Sequence, residues 1–147
     1  MADTFVPSET DWAYFAGMID GEGHVGLYRH RDKKCKRGYS YRVVLGITNT
    51  QIPLLLDLQR RFGGIVHEQG KSGFSDKPVF GLRFSANAMR DILPRVLPYI
   101  VLKKKDLEIM LRAMKITDRH RYKDYDDSPL EPLITEINQI RKERRAS

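Results

Sequence analysis

The stretch Trp12-Ala13-Tyr14-Phe15-Ala16-Gly17-Met18-Ile19-Asp20-Gly21-Glu22-Gly23 decides the reading of this chain. Small residues sit within an apolar helix that runs into an acidic, glycine-rich turn. Just ahead, Ser8-Glu9-Thr10-Asp11 reads as a helix start, with Ser8 as N-cap and Asp11 near the capping-box position. The helix is expected to reach about Ile19, with Gly21 and Gly23 ending it. Ala13, Ala16 and Gly17 occupy adjoining helical positions and permit a second helix to approach closely. Asp20 and Glu22 then place carboxylates at the end of that helix pair. Taken singly, these features are commonplace. Small residues line many helix contacts inside one chain, and an acid in a helix-ending turn is usually just solvated.

Working outward, the pattern changes to period two. Over Gly23–Arg31, Val25 and Leu27 point one way, and His24, Gly26, Tyr28 and His30 point the other. A polar loop, Asp32–Gly38, turns the chain into a second strand with Tyr41, Val43, Leu45 and Ile47 inward. Helix two is expected over Gln51–Phe62, with Ile52, Leu55, Leu56 and Phe62 on its apolar face and Gly63 as its stop. A second hairpin follows, from Ile65–Gln69 to Val79–Ser85, with Phe80, Leu82 and Phe84 inward. A helical stripe from Met89 ends around Pro98, and another helix covers Lys103 to about Thr117. Residues 118–128 read as a linker before a last helix carrying Leu130, Leu133, Ile134 and Ile137. The basic Arg141–Arg145 end is expected to fray. Hairpins alternating with helices imply an α+β domain with an αββαββα core over about 8–117, within a single domain 1–147.

Composition narrows the function. The chain has 147 residues, 41% of them hydrophobic, which suits one soluble core. It carries 26 Lys+Arg against 19 Asp+Glu, a net charge of +7. That balance favours a polyanionic partner, because cations meeting phosphates release condensed counterions. Cys35 is the only cysteine, which excludes an intrachain disulfide and a thiolate zinc site. No run approaches the roughly 20 apolar residues of a membrane span, and no secretory signal is visible. The expected location is the cytoplasm or nucleoid, or an organelle matrix. The four histidines lack metal-binding spacing, and there is no P-loop or nucleophile elbow.

Phe15 through Gly23 closely resembles the signature of the LAGLIDADG homing endonucleases at all nine positions. Phe stands for the first Leu, Met for the second, Gly for the second Ala and Glu for the second Asp. The motif occurs once, and in that family one copy implies a homodimer formed through the motif helix. The resemblance implies a site-specific double-stranded DNA endonuclease hydrolysing phosphodiester bonds with divalent metal at the dimer axis. Mg²⁺ is the expected ion, with Mn²⁺ or Ca²⁺ able to take the same sites. Glu22 is then the metal-binding acid, the Gly21 carbonyl a second ligand, and Asp20 a turn-shaping residue at the dimer interface with Ala13, Ala16 and Gly17. Lys103, following Pro98-Tyr99-Ile100, matches the family's lysine near the scissile phosphate. Asn49 takes the place after strand two where related enzymes commonly carry Gln, and Ile52-Pro53 replaces an arginine seen in some members.

The sheet face opposite the core is then expected to form a saddle on a long pseudopalindromic DNA site. Parity nominates His24, Gly26, Tyr28 and His30, then Ser40, Arg42 and Val44, then His67 and Gln69, then Gly81 and Arg83. Loop cations Lys33, Lys34, Arg37 and Lys71 are placed for phosphates. The competing readings are a maturase that aids splicing of its host intron RNA, and a noncatalytic DNA-binding regulator on the same fold.

Overall fold

The computed structural model describes residues 4–34, 38–71, 76–119 and 129–146. Its elements follow in the order α1 (Glu9–Glu22), β1 (Gly23–Arg31), β2 (Tyr39–Asn49), α2 (Ile52–Phe62), β3 (Ile65–Lys71), β4 (Pro78–Arg83), α3 (Ala86–Val96), a 3₁₀ turn (Leu97–Tyr99), α4 (Lys104–Arg119) and α5 (Leu130–Ala146). The strands form one sheet in the order β1-β2-β4-β3. Both β2 and β3 run antiparallel to β4. This is the α+β class expected from the alternation of hairpins and helices. None of the described helices is long and apolar enough to cross a membrane.

The chain divides into two compact units: residues 1–24 with 45–103, and residues 25–44 with 104–147. In the first, α1 starts on a full capping box. The Ser8 hydroxyl accepts from the Asp11 backbone N–H, and the Asp11 carboxylate accepts from the Ser8 N–H at 2.8 Å. Those Ser8 contacts, helped by Arg61, hold the Asp11 carboxyl below its ordinary pKa. The core is apolar and aromatic. Phe15 of α1 stacks on Phe62 of α2 at 4.2 Å between ring centres, and its other neighbour is Phe84. Ile19, Leu45, Ile47, Leu55, Leu58, Leu82 and Leu93 are fully enclosed or nearly so.

Several boundaries differ from the sequence expectation. α1 does not stop at Ile19 but continues through Glu22, so Asp20, Gly21 and Glu22 form its last turn. Gly23 then leaves in extended geometry, its N–H returning to the Ile19 carbonyl. A Cβ on Gly23 would lie 2.7 Å from Ile19 Cα, so this site demands glycine for close approach rather than for a turn. On α2 the buried residues are Leu55, Leu58 and Phe62, whereas Leu56 and Ile52 are exposed. β3 runs on to Lys71 through an irregularity between Glu68 and Gly70. α3 contains Pro94 and ends at Val96, ahead of Pro98.

In the second unit, Leu27 of β1 packs with Ile109 and Ala113 of α4 and with Leu130, Leu133 and Ile137 of α5. Tyr41 and Val43 of β2 border this cluster. Glu131 accepts from both Arg29 and Tyr41, and burial with that carboxylate raises the Tyr41 hydroxyl pKa. The basic C-terminal run is not frayed: α5 continues to Ala146 and uses its arginines. Arg144 Nη2 lies 2.5 Å from Asp106, whose side chain is 1% exposed. Removing one partner of a buried ion pair strands the other without compensation. Arg144→Ala is therefore expected to lower stability by about 3 kcal/mol, read as a shift in the urea unfolding midpoint. A Leu or Met pair at positions 106 and 144 should recover most of the loss.

Candidate active site and nucleic-acid interface

Charge makes the end of α1 unusual. A helix C-terminus carries partial negative charge and favours cations, each worth about 0.3–1 kcal/mol. Here the last turn has two carboxylates, Asp20 and Glu22, and no basic residue. Such local conflict is what functional positions show when the rest of a fold is consistent.

The structure resolves half of that conflict. Asp20 Oδ2 accepts from the Val101 N–H at 2.8 Å, while its Oδ1 accepts from Leu102 and Lys103 at 3.1 and 3.0 Å. Three consecutive backbone donors thus surround one carboxylate. Lys103 folds back on the same helix end. Its Nζ donates to the Ile19 carbonyl at 2.8 Å and to the Gly23 carbonyl at 2.7 Å. The ammonium therefore sits against the negative pole of α1, adding a second donor to the Ile19 carbonyl, which already accepts from the Gly23 N–H.

Glu22 is different. It is exposed on the final helical residue, and its recorded contact is from Asn49 Nδ2 at 3.4 Å. The Asn49 amide is oriented from the other side, because its Oδ1 accepts from the Gln51 N–H at 2.9 Å. With the oxygen engaged, the NH₂ group is the one turned to Glu22. The structure therefore gathers Asp20, Gly21, Glu22, Asn49 and Lys103 at one end of one helix. Glu22 and the Gly21 carbonyl are oxygen donors of the kind Mg²⁺ prefers. Among the described residues, no group of three or more His, Cys, Asp or Glu side chains could hold a metal ion. One copy of this site thus offers a partial ligand set.

The motif helix divides its small residues between two faces. Gly17 and Gly21 look onto open space, where an added Cβ would meet nothing within 4 Å, and Ala13 is half-buried. Ala16 departs from the expected grouping. It is fully buried in its own chain, because it lies one step round the helix with Phe15 and Ile19. Asp20 likewise binds its own chain's backbone.

The expected reading face is partly as drawn. Arg83, Arg42, His24, His30, Lys33 and Lys34 are exposed, while Ser40 and Val44 are half-buried. Gly81 and Gly26 are buried, contrary to their placing on an open face. Gly81 pairs with Thr48 on one side and His67 on the other. Gln69 spans it, accepting from Thr48 Oγ1 at 3.2 Å and meeting His67 Nε2 at 3.2 Å. A Cβ on Gly81 would collide with Gln69 Nε2 and lie 2.9 Å from His67 Cε1. Thr48 was missed, although extending the β2 alternation two residues past Gly46 reaches it. Gly26 lies under Arg141 of α5, another residue the strand pattern could not nominate. Arg37 falls outside the described residues, and Lys71 is the last residue of β3.

No protein-family model and no curated protein matches this chain. Solved structures do. The homing endonuclease I-CvuI, in complex with the I-CreI target, aligns with a TM-score of 0.72 at 24% identity, over 90% of this chain and 82% of that one. I-CvuI in complex with its own target in the presence of Ca aligns at 0.62 and 26% identity, over 74% and 68%. I-SmaMI bound to uncleaved DNA aligns at 0.60 and 25% identity, over 78% of this chain but 38% of its own length. Structural neighbours of this kind are LAGLIDADG homing endonucleases, and the fold of the present chain is theirs.

Proposed function

We propose that the protein is a homodimeric, site-specific endonuclease that cuts double-stranded DNA by metal-dependent hydrolysis. The observation that carries this reading is the exposed Glu22 carboxylate at the end of a helix whose outer face, at Gly17 and Gly21, is open to close approach. Among the described residues, one chain supplies too few ligands for a metal centre. A second copy packed along that face would bring a second Glu22 and Gly21 to the same axis. The two-fold axis in turn calls for a long pseudopalindromic target. The structures of I-CvuI obtained with Mg or Ca and DNA support a divalent ion, with Mg²⁺ as the working choice.

When bound, a divalent ion would supply an activated water and neutralise charge on the scissile phosphate. Glu22 and the Gly21 carbonyl would hold it. Water oxygen bonds to phosphorus, one P–O bond to the sugar breaks, and the departing oxygen takes a proton. Asn49 steadies the Glu22 carboxylate. Lys103, anchored on the Ile19 and Gly23 carbonyls, puts positive charge beside the reacting phosphate and stabilises its added negative charge.

The test begins with selection of binding sites from a randomised duplex library in Ca²⁺, followed by exposure of the best site to Mg²⁺ or EDTA. Double-strand cutting in Mg²⁺ and none in EDTA is the expected result. Selection of a site without cutting in any metal would make the protein a DNA-binding regulator. Selection of no DNA site would turn attention to intron RNA.

A further inference from the structure

We propose that Ile65 and Arg83 together read a C5-methylated pyrimidine beside a guanine, so that the protein distinguishes thymine or 5-methylcytosine from plain cytosine. The inference rests on the DNA-binding reading above. β4 lies between β2 and β3, and the register places Arg83 in one row with Gly46 of β2 and Ile65 of β3. Directly opposed residues share a face of the sheet, and residues two apart along a strand share it as well. The row of Thr48, Gly81 and His67 is therefore on the same side. Leu82, one step along β4 and paired with Ile47 and Val66, is fully buried on the other. Ile65 and Arg83 thus stand on the expected reading face, and both lie within the first unit.

An exposed isoleucine means little by itself. Ile65 is 59% exposed, and what singles it out is its neighbour in the row. Arg83 is exposed, and its guanidinium makes no hydrogen bond, ion pair or ring contact with any described residue. Nε, Nη1 and Nη2 keep all their hydrogens, so a bidentate pair for guanine O6 and N7 is intact. Gly46, on its other side, brings no side chain. Opposed residues hold their Cβ atoms about 4.5–5.5 Å apart, near one base step of about 3.4 Å. The two side chains can therefore meet neighbouring base pairs in one major groove. There the C5-methyl is what thymine shows and cytosine lacks, and its contact is an apolar side chain. A methyl on C5 of cytosine stands in the same place. Ile65 has no donor or acceptor with which to tell thymine O4 from cytosine N4. A phosphate contact would use Arg83 alone and leave Ile65 idle.

The test selects sites in Ca²⁺ from the randomised duplex library and then remakes the best site with single-base replacements, with thermal melts to confirm that each variant folds. Wild type should select T adjoining G in each half-site. Deoxyuridine in place of that thymine deletes only the methyl and should weaken binding about fourfold. At the same position, 5-methylcytosine should bind better than cytosine by about the same factor. Ile65→Ser should bind the thymine and deoxyuridine sites equally, whereas Ile65→Val should keep the difference. Arg83→Ala should lose the guanine preference, a change of roughly tenfold to a hundredfold at that position, and leave distant positions as they were. Equal wild-type affinity for the thymine and deoxyuridine sites would overturn the proposal, as would a deoxyuridine penalty that persists in Ile65→Ser. Equal weakening on every sequence by Arg83→Ala, with a salt slope reduced by about one, would make Arg83 a phosphate contact and overturn it too. If wild type selects no sequence, the DNA-binding reading itself has failed; a selected site without the methyl-dependent step overturns this proposal alone.

Discussion

Glu22→Gln is expected to abolish cutting while leaving DNA binding almost intact. The substitution keeps size and hydrogen-bonding capacity but removes the anion. Asn49 can still meet the remaining oxygen, so the local geometry should survive. A neutral amide is a far poorer ligand for Mg²⁺ than a carboxylate. In the proposed dimer, two copies of the change would strip both charged ligands from the shared centre. Single-turnover cutting of the selected site should fall by at least a thousandfold, about 4 kcal/mol of barrier. Affinity measured in EDTA should stay within about threefold, because no step of metal-free binding uses this anion. It should even rise slightly, since an acid near a phosphate is lost. Cutting within tenfold of wild type would remove Glu22 from the chemistry. Loss of cutting and binding together would mean that the site had collapsed instead.

Much of this fold was legible because its patterns are local. The Ser8 capping box, the period-two runs of β1 and β2, and Gly63 after α2 each follow from neighbours in sequence. The motif from Phe15 to Gly23 likewise named the residues now found at one helix end. What escaped depends on contacts made at a distance along the chain. Asp20 looks like a turn residue until the backbone of 101–103 arrives to bond it. That contact is also why α1 can extend through Glu22 despite two acids in its last turn: one of them is satisfied by backbone donors. Ala16 and Gly17 are adjacent letters in the motif, yet one is enclosed by its own core and the other faces open space. Arg141 and Arg144 read as a charged tail because their partners, Tyr28 and Asp106, lie far back in the chain.

Asp20→Asn should then be more damaging than its conservative appearance suggests, and in a different manner from Glu22→Gln. The carboxylate is an acceptor on both oxygens, and both are used. Asparagine presents an NH₂ group in place of one oxygen, so donor would face donor. Either way the amide turns, at least one backbone N–H loses its acceptor, and the remaining bonds lose their charge. Charge-assisted hydrogen bonds contribute about 1.5–3 kcal/mol each, and an unmet donor costs about 1–3 kcal/mol. Since the site is partly open to water, a stability loss of about 2–4 kcal/mol is expected, read as a lower melting temperature. The functional consequence follows from what the segment carries. Lys103 begins where those donors end, and its ammonium reaches the Ile19 and Gly23 carbonyls only while its backbone is held. Freed, it would no longer fix the positive charge proposed to stand beside the scissile phosphate. At a temperature where the variant is fully folded, cutting should drop by roughly tenfold to a hundredfold while affinity for the selected site is unchanged. A merely structural Asp20 would lower the melting temperature and leave the single-turnover rate of the folded fraction alone. Lys103→Met supplies the cross-check. If Asp20 acts by positioning Lys103, the double variant should cut no more slowly than Lys103→Met by itself, whereas additive losses would assign Asp20 a separate part in the reaction.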